Sequence, residues 1–153
     1  MQINYKRYYP NMVQISAFKI INANKQNIWK IISDVDNDPN YWYGIKKVKN
    51  LRKEQDFLER ETIIAFRKST CIETVKFKDN MQIDFKIIKG PIIGTKTLKL
   101  SKISDLSCKL EAIWDIKLQG PMSIFTFMVK RHILKGTKEA LDRIAQSCEK
   151  QEQ

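Results

Sequence analysis

Few side chains in this sequence could do chemistry, and Glu73 is the sharpest of them. In the run Thr70 to Phe77, Cys71, Glu73, Val75 and Phe77 share one parity, so a strand there turns the carboxylate to the same side as apolar neighbours. A carboxylate stripped of water has its pKa raised, which fits it to donate a proton, accept one or anchor a ligand. A bulge between Ile72 and Thr74 would instead turn Glu73 to water. His132, the only histidine, is the second acid/base candidate, because imidazole titrates near neutrality; its other reading is a satisfied histidine at a cavity rim. Arg60 has inner parity on the preceding run, with a surface place or the mouth of a cavity as its alternatives. Cys71 and Cys108 fall on apolar strand faces, where thiols act as small packers. The three cysteines, Cys71, Cys108 and Cys148, are widely spaced; with one histidine they supply no zinc-ligand spacing, so no metal and no cofactor are expected. No serine elbow, HExxH or glycine-rich phosphate loop is present, and no catalytic unit is legible.

These groups need elements to hold them, and the organising one is Pro121 to about Glu149. Phe125, Met128, Val129, Ile133, Ala140, Leu141, Ile144 and Cys148 recur at spacings of three and four, the apolar stripe of a long amphipathic helix. Lys130, Arg131, Lys135, Lys138, Glu139, Asp142 and Arg143 lie outside it. Gly120-Pro121 starts the helix, since proline is tolerated in a first turn. His132 and Gly136 are four residues apart on the stripe. An interior glycine costs about 1 kcal/mol against alanine, so Gly136 marks either room for a ligand or close packing on a strand.

Ahead of the helix, residues 1–12 read as an arm carrying Tyr5, Tyr8 and Tyr9, and Val13 to Ile21 reads as a strand. Asn22 or Asn24 caps a short helix containing Ile28, Trp29, Ile31 and Ile32. Asp36-Asn37-Asp38-Pro39-Asn40 signals a turn and a second short helix near Tyr41-Trp42-Tyr43. From Ile45 on, alternating runs separated by turns predict an antiparallel meander. Phe66 is expected opposite Cys71, Ile64 opposite Glu73 and Phe85 beside Glu73. The run Cys108, Leu110, Ala112, Trp114, Ile116 and Leu118 is the cleanest alternation. The fold class is therefore α+β: six or seven strands curve round one long C-terminal helix, with two short helices after the first strand.

The 153 residues fit one domain, placed at 13–149. A content of 42% hydrophobic and 29% charged residues matches a soluble globular chain, no apolar run is long enough to span a bilayer, and the N-terminus lacks a secretory pattern. A cytoplasmic protein with free thiols is expected. The net charge of +11 favours anionic partners. Its densest piece is Lys46, Lys47, Lys49, Arg52 and Lys53, and elsewhere it is dispersed, as on a solvated face. Without a nucleic-acid signature it predicts weak association with anionic surfaces and no specific nucleic acid.

Ile20-Ile21-Asn22-Ala23, Ile28-Trp29, Ile31-Ile32-Ser33-Asp34, Pro39, Trp42, Ile45 and Val48, together with the Gly90-Pro91-Ile92-Ile93-Gly94 hairpin and the terminal helix, resemble the START-like (SRPBCC) superfamily. That superfamily includes pollen-allergen-like proteins, polyketide cyclases and coenzyme Q-binding proteins. The resemblance spans residues 13–149 and rests on structural positions; Asn24 stands where many relatives have proline. It implies a helix-grip fold with a cavity between helix and sheet for a lipid, sterol, hormone, quinone or polyketide. Pattern alone sets Phe66, Phe85, Ile87 and Trp114 on the sheet against Phe125, Met128 and Val129 on the helix, walls suited to an apolar ligand or to a solid core. With Trp42, Glu73, His132 and Gly136 they form the expected ligand-binding set. Binding or carriage of a hydrophobic small molecule leads. The alternatives are a cyclase- or dehydratase-like enzyme using Glu73 or His132, and an interaction protein with a basic surface and a vestigial cavity.

Overall fold

Asn24 separates the first strand from the first helix: its backbone is extended and its side chain accepts a hydrogen bond from the Asn27 N–H at 2.9 Å, a standard N-terminal cap. The computed structural model describes residues 11–152. β1 (Met12–Ile21) leads into α1 (Lys25–Ser33) and a 3-10 turn (Val35–Asn40). The meander follows: β2 (Ile45–Glu54), β3 (Phe57–Ile64), a short 3-10 turn (Phe66–Lys68), β4 (Thr70–Lys78), β5 (Gln82–Lys89), β6 (Ile92–Ser104) and β7 (Ser107–Leu118). A further 3-10 turn (Gly120–Phe125) feeds α2 (Thr126–Gln151). The strands form one seven-stranded sheet in the order β1-β7-β6-β5-β4-β3-β2, and every neighbouring pair is antiparallel. This is the expected α+β helix-grip architecture. The predicted arm with Tyr5, Tyr8 and Tyr9 lies outside the described residues, and Met12, assigned to that arm, belongs to β1.

The core divides along α2. Its C-terminal half buries Thr137 together with Ala140, Leu141, Ile144, Ala145 and Cys148; the last five join Ala17 and Ile21 of β1, Leu110 and Ala112 of β7 and Ile28 and Ile32 of α1 in one cluster. A smaller cluster at the other end gathers Val13, Ile15, Ile116, Leu118 and Met122, against which Phe66, Ile92, Val129 and Ile133 pack.

Four local expectations change. The long helix begins at Thr126 instead of Pro121, because the preceding residues wind as the 3-10 turn and Phe125 leaves helical geometry. The β3–β4 pairing slides: Arg60 faces Glu73 and Thr62 faces Cys71. The connection is longer than a tight turn, with Arg67 and Lys68 both at positive φ, so it takes residues from the strand ends. The slide is even-numbered, and each side chain keeps its predicted face. Likewise Glu73 opposes Ile87, and Phe85 opposes Val75. Phe66 is no strand residue, since it sits in the turn and packs half-buried on the smaller cluster.

Candidate functional site

Arg60 is fully buried, and its predicted surface place is corrected by the partners that pull it in. Facing Glu73 across β3–β4, its Nε donates to Glu73 Oε1 at 2.7 Å, and Nη2 lies 2.7 Å from the same oxygen. Nη2 also donates to Asp38 Oδ2 at 2.6 Å, and Nη1 to the Val35 carbonyl at 2.7 Å. One rigid guanidinium fork thus ties the 3-10 turn Val35–Asn40 down onto the inner sheet face, which a point-charge ammonium could not do with the same bonds. Glu73 does face inward, as its parity predicted, even though the β4–β5 register shifts between Ile72 and Glu73.

Lys96 on β6 completes the cluster. It opposes Phe85 on β5 and Trp114 on β7, and Trp42 closes over it from the segment after the 3-10 turn. Its Nζ lies 3.9 Å from the Trp42 ring centre, 4.2 Å from Phe85 and 5.2 Å from Trp114. The two tryptophans meet edge-on at 6.3 Å. Among the described residues Lys96 makes no ion pair. Ring faces attract its ammonium, and the Asp38 and Glu73 carboxylates compensate its charge at longer range. The cluster therefore holds two potential cations and two potential anions in a nearly dry interior.

Burial sets the protonation of this group. It pushes the Lys96 amine below its ordinary value, with Asp38 and Glu73 pulling back in part. It pushes the Asp38 carboxyl up, against the opposing pull of Arg60 and Lys96. For Arg60 burial acts downward, but Glu73 and Asp38 outweigh it and hold the guanidinium charged. Such an arrangement can bind an acidic or enolic oxygen at Lys96, or exchange a proton with it.

Only some of the predicted site residues come together. Trp42, Glu73, Phe85 and Trp114 converge on the cluster, and Trp114 also donates from Nε1 to Thr137 Oγ1 of α2 at 3.0 Å. Ile87 is half-buried beside Glu73. Phe66 and Val129 both pack against the smaller cluster. Phe125, Met128 and His132 are exposed: the first turns of α2 meet the sheet through Val129 and Ile133, and these three lie outside that contact. His132 is thereby placed away from Glu73's surroundings. Gly136 is half-buried, but an added Cβ would meet nothing within 4 Å, so tight packing on a strand is not its role. Sequence reading missed Asp38, hidden in a turn signal, and Lys96, whose parity with Leu98 and Leu100 was a readable sign. A concavity of about 290 Å³ lies between α1 and the β2–β3 hairpin at Trp29, Asp36, Asp56 and Phe77, and another of about 190 Å³ lies on β2–β3 at Lys47, Glu61 and Ile63; both are outside the helix–sheet interior. Cys71 and Cys148 are buried free thiols whose pKa values burial pushes up to about 11 and about 12, which leaves them un-ionised near neutrality.

A curved seven-stranded sheet gripping a terminal helix, with short helical segments between its first two strands, defines the START-like, polyketide-cyclase type of fold. No family model matches the chain, and no curated protein matches its sequence. Solved structures do match. The Zhui aromatase/cyclase from Streptomyces sp. R1128 aligns at a TM-score of 0.80 and 12% identity, over 93% of this chain and 96% of that one. A START superfamily protein from Mycobacterium smegmatis aligns at 0.67 and 20% identity, over 87% and 97%. The di-domain ARO/CYC StfQ from the steffimycin biosynthetic pathway aligns at 0.69 and 11% identity, over 93% of this chain and 52% of that one. At these identities the likeness establishes fold.

Proposed function

We propose that this protein binds and carries a hydrophobic small molecule bearing an acidic or enolic oxygen, with that oxygen received at Lys96. The single observation behind this reading is the ring-caged Lys96, without an ion pair among the described residues, beside the Arg60–Glu73–Asp38 cluster, in a fold shared with aromatase/cyclases and START proteins. A buried ammonium without a bonded anion is costly unless something compensates it. Trp42, Phe85 and Trp114 would give the ligand an apolar bed. Entry would require Trp42 or the first turns of α2 to move, and open space at Gly136 favours the latter. Native mass spectrometry should find a co-purified apolar small molecule. In titration, the anionic dye 1-anilinonaphthalene-8-sulfonate should lose about tenfold in affinity on Lys96→Met, the size of a lost charged hydrogen bond, while neutral Nile red is little affected. No bound molecule and no binding of either dye would end the carriage reading.

One observation favours a second reading, an acid/base enzyme of the cyclase or dehydratase kind. The depressed pKa of Lys96 brings an amine closer to the range in which it exchanges protons at neutral pH. In that case Lys96→Met would abolish turnover of a polyketone substrate while sparing binding.

A further inference from the structure

We propose that the end of the fold formed by the start of α2 and its neighbouring turns docks on an anionic lipid bilayer. Ile124, Phe125, Phe127 and Met128 are 79%, 49%, 72% and 66% exposed, large apolar side chains crowded into one short stretch. Scattered exposed hydrophobics are ordinary in soluble proteins, whereas a contiguous group marks a contact surface. Phe127 and Met128 stand one helical turn before Arg131, whose guanidinium lies 5.8 Å over the Phe127 ring; Lys130 and Lys135 are exposed just beyond. The helix thus presents an apolar tip with a basic collar.

Two other segments come to the same end. The hairpin between β5 and β6 joins it through the Gln119 N–H, which donates to the Pro91 carbonyl at 2.7 Å. The turn between β3 and β4 joins it through Phe66, which packs in one cluster with Ile92 and Val129. These segments bring exposed Lys89, Arg67 and Lys68. All three stretches are free of carboxylates: none occurs in residues 62–72, 85–104 or 116–138. Part of the chain's basic surplus is gathered at this end, and the nearest carboxylate on α2 is Glu139, 3.9 Å from Lys135 at the edge of the collar.

Charge decides the occupant. A second copy of this chain would bring the same basic collar against itself. Nucleic acid would answer the charge but leave Ile124, Phe127 and Met128 unpaid for by any apolar contact. An anionic bilayer answers both, its headgroups meeting the lysines and arginines while the tip enters the acyl boundary. The proposal stands independently of any internal ligand.

Sedimentation of the full chain with vesicles tests it. Binding to vesicles of phosphatidylcholine mixed equally with phosphatidylglycerol should exceed that to phosphatidylcholine alone by about tenfold or more. Lys130→Glu/Arg131→Glu should lower it by about 25-fold or more, because each basic residue at such a surface is worth roughly fivefold. Phe127→Ser/Met128→Ser should also lower it about tenfold, with an unchanged melting temperature, since both side chains are exposed. Absence of binding, equal binding by the variants, or a lowered melting temperature in the serine variant would overturn the proposal. So would a dimer in light scattering that Phe127→Ser/Met128→Ser dissociates, or tight binding of an RNA oligonucleotide indifferent to that variant. Neutral-lipid binding as strong as anionic binding would remove the role given to the basic collar.

Discussion

The two halves of the inner sheet face are built on different physics. On β1 and β7 the face is apolar and is covered by the C-terminal half of α2, where Ala17, Leu110, Ala112, Ala140, Leu141 and Ile144 interlock. Toward β3, β4 and β6 it carries Arg60, Glu73 and Lys96, covered by the 3-10 turn and Trp42. Shape and area hold the first half together, and a methylene more or less changes its stability gradually. The second half is all or nothing: a charge there is tolerated only while its partners stay in place. Stability alone is served well enough by the first kind of packing, so the presence of the second kind is the better pointer to function.

The largest expected effect comes from breaking the charged half. Arg60→Ala would strand Asp38 and Glu73 without their shared partner and free the turn at Val35, and a loss of about 3–5 kcal/mol in denaturant unfolding is expected. A loss below about 1 kcal/mol, the range of exposed pairs, would mean that water already reaches the cluster.

A smaller effect sharpens the contrast through pH. The folded-state pKa of Lys96 lies below its ordinary 10.5, so between the two values the unfolded chain binds more protons than the folded one. Stability contributed this way is complete above 10.5 and is lost as pH falls through the folded-state pKa. Wild-type stability should therefore climb with pH through this alkaline window relative to Lys96→Met, and the difference between the two curves isolates the residue. Parallel curves would show an amine in contact with solvent. The apolar half titrates the other way: Cys148, whose thiol burial pushes up to about 12 from an ordinary 9.0, costs stability as pH rises above 9.0, and this contribution is common to wild type and Lys96→Met.

The smallest effect belongs to α2 where its two halves meet. Because a Cβ at Gly136 finds open space, Gly136→Ala should raise stability by up to about 1 kcal/mol through helix propensity. A fall in melting temperature would reveal packing against the sheet that the fold does not otherwise show.

Much of the architecture is legible from local pattern, because alternation and the three-to-four spacing of apolar residues are one-dimensional imprints of strands and helices. The strand meander, a cap at Asn22 or Asn24, the terminal helix and the inward parity of Glu73, unless a bulge turned it outward, all follow from it. The partners of Glu73 do not. The turn from Phe66 to Ser69, with Arg67 and Lys68 at positive φ, set the register that brought Arg60 opposite Glu73, and no turn signal announced its length. Asp38 reaches the cluster only because the chain folds back between α1 and β2. Lys96 shares parity with Leu98 and Leu100, yet whether a lysine on an apolar face is buried depends on what covers it, here Trp42 from a remote segment. Phe125 and Met128 show the converse: their spacing continues the buried stripe of α2, but at that end Val129 and Ile133 make the contact with the sheet and they are left exposed. Periodicity determined which way each side chain points along its own element. Tertiary structure decided what lies opposite, because contact partners are set by register, turn length and the reach of neighbouring elements, quantities that no local spacing encodes.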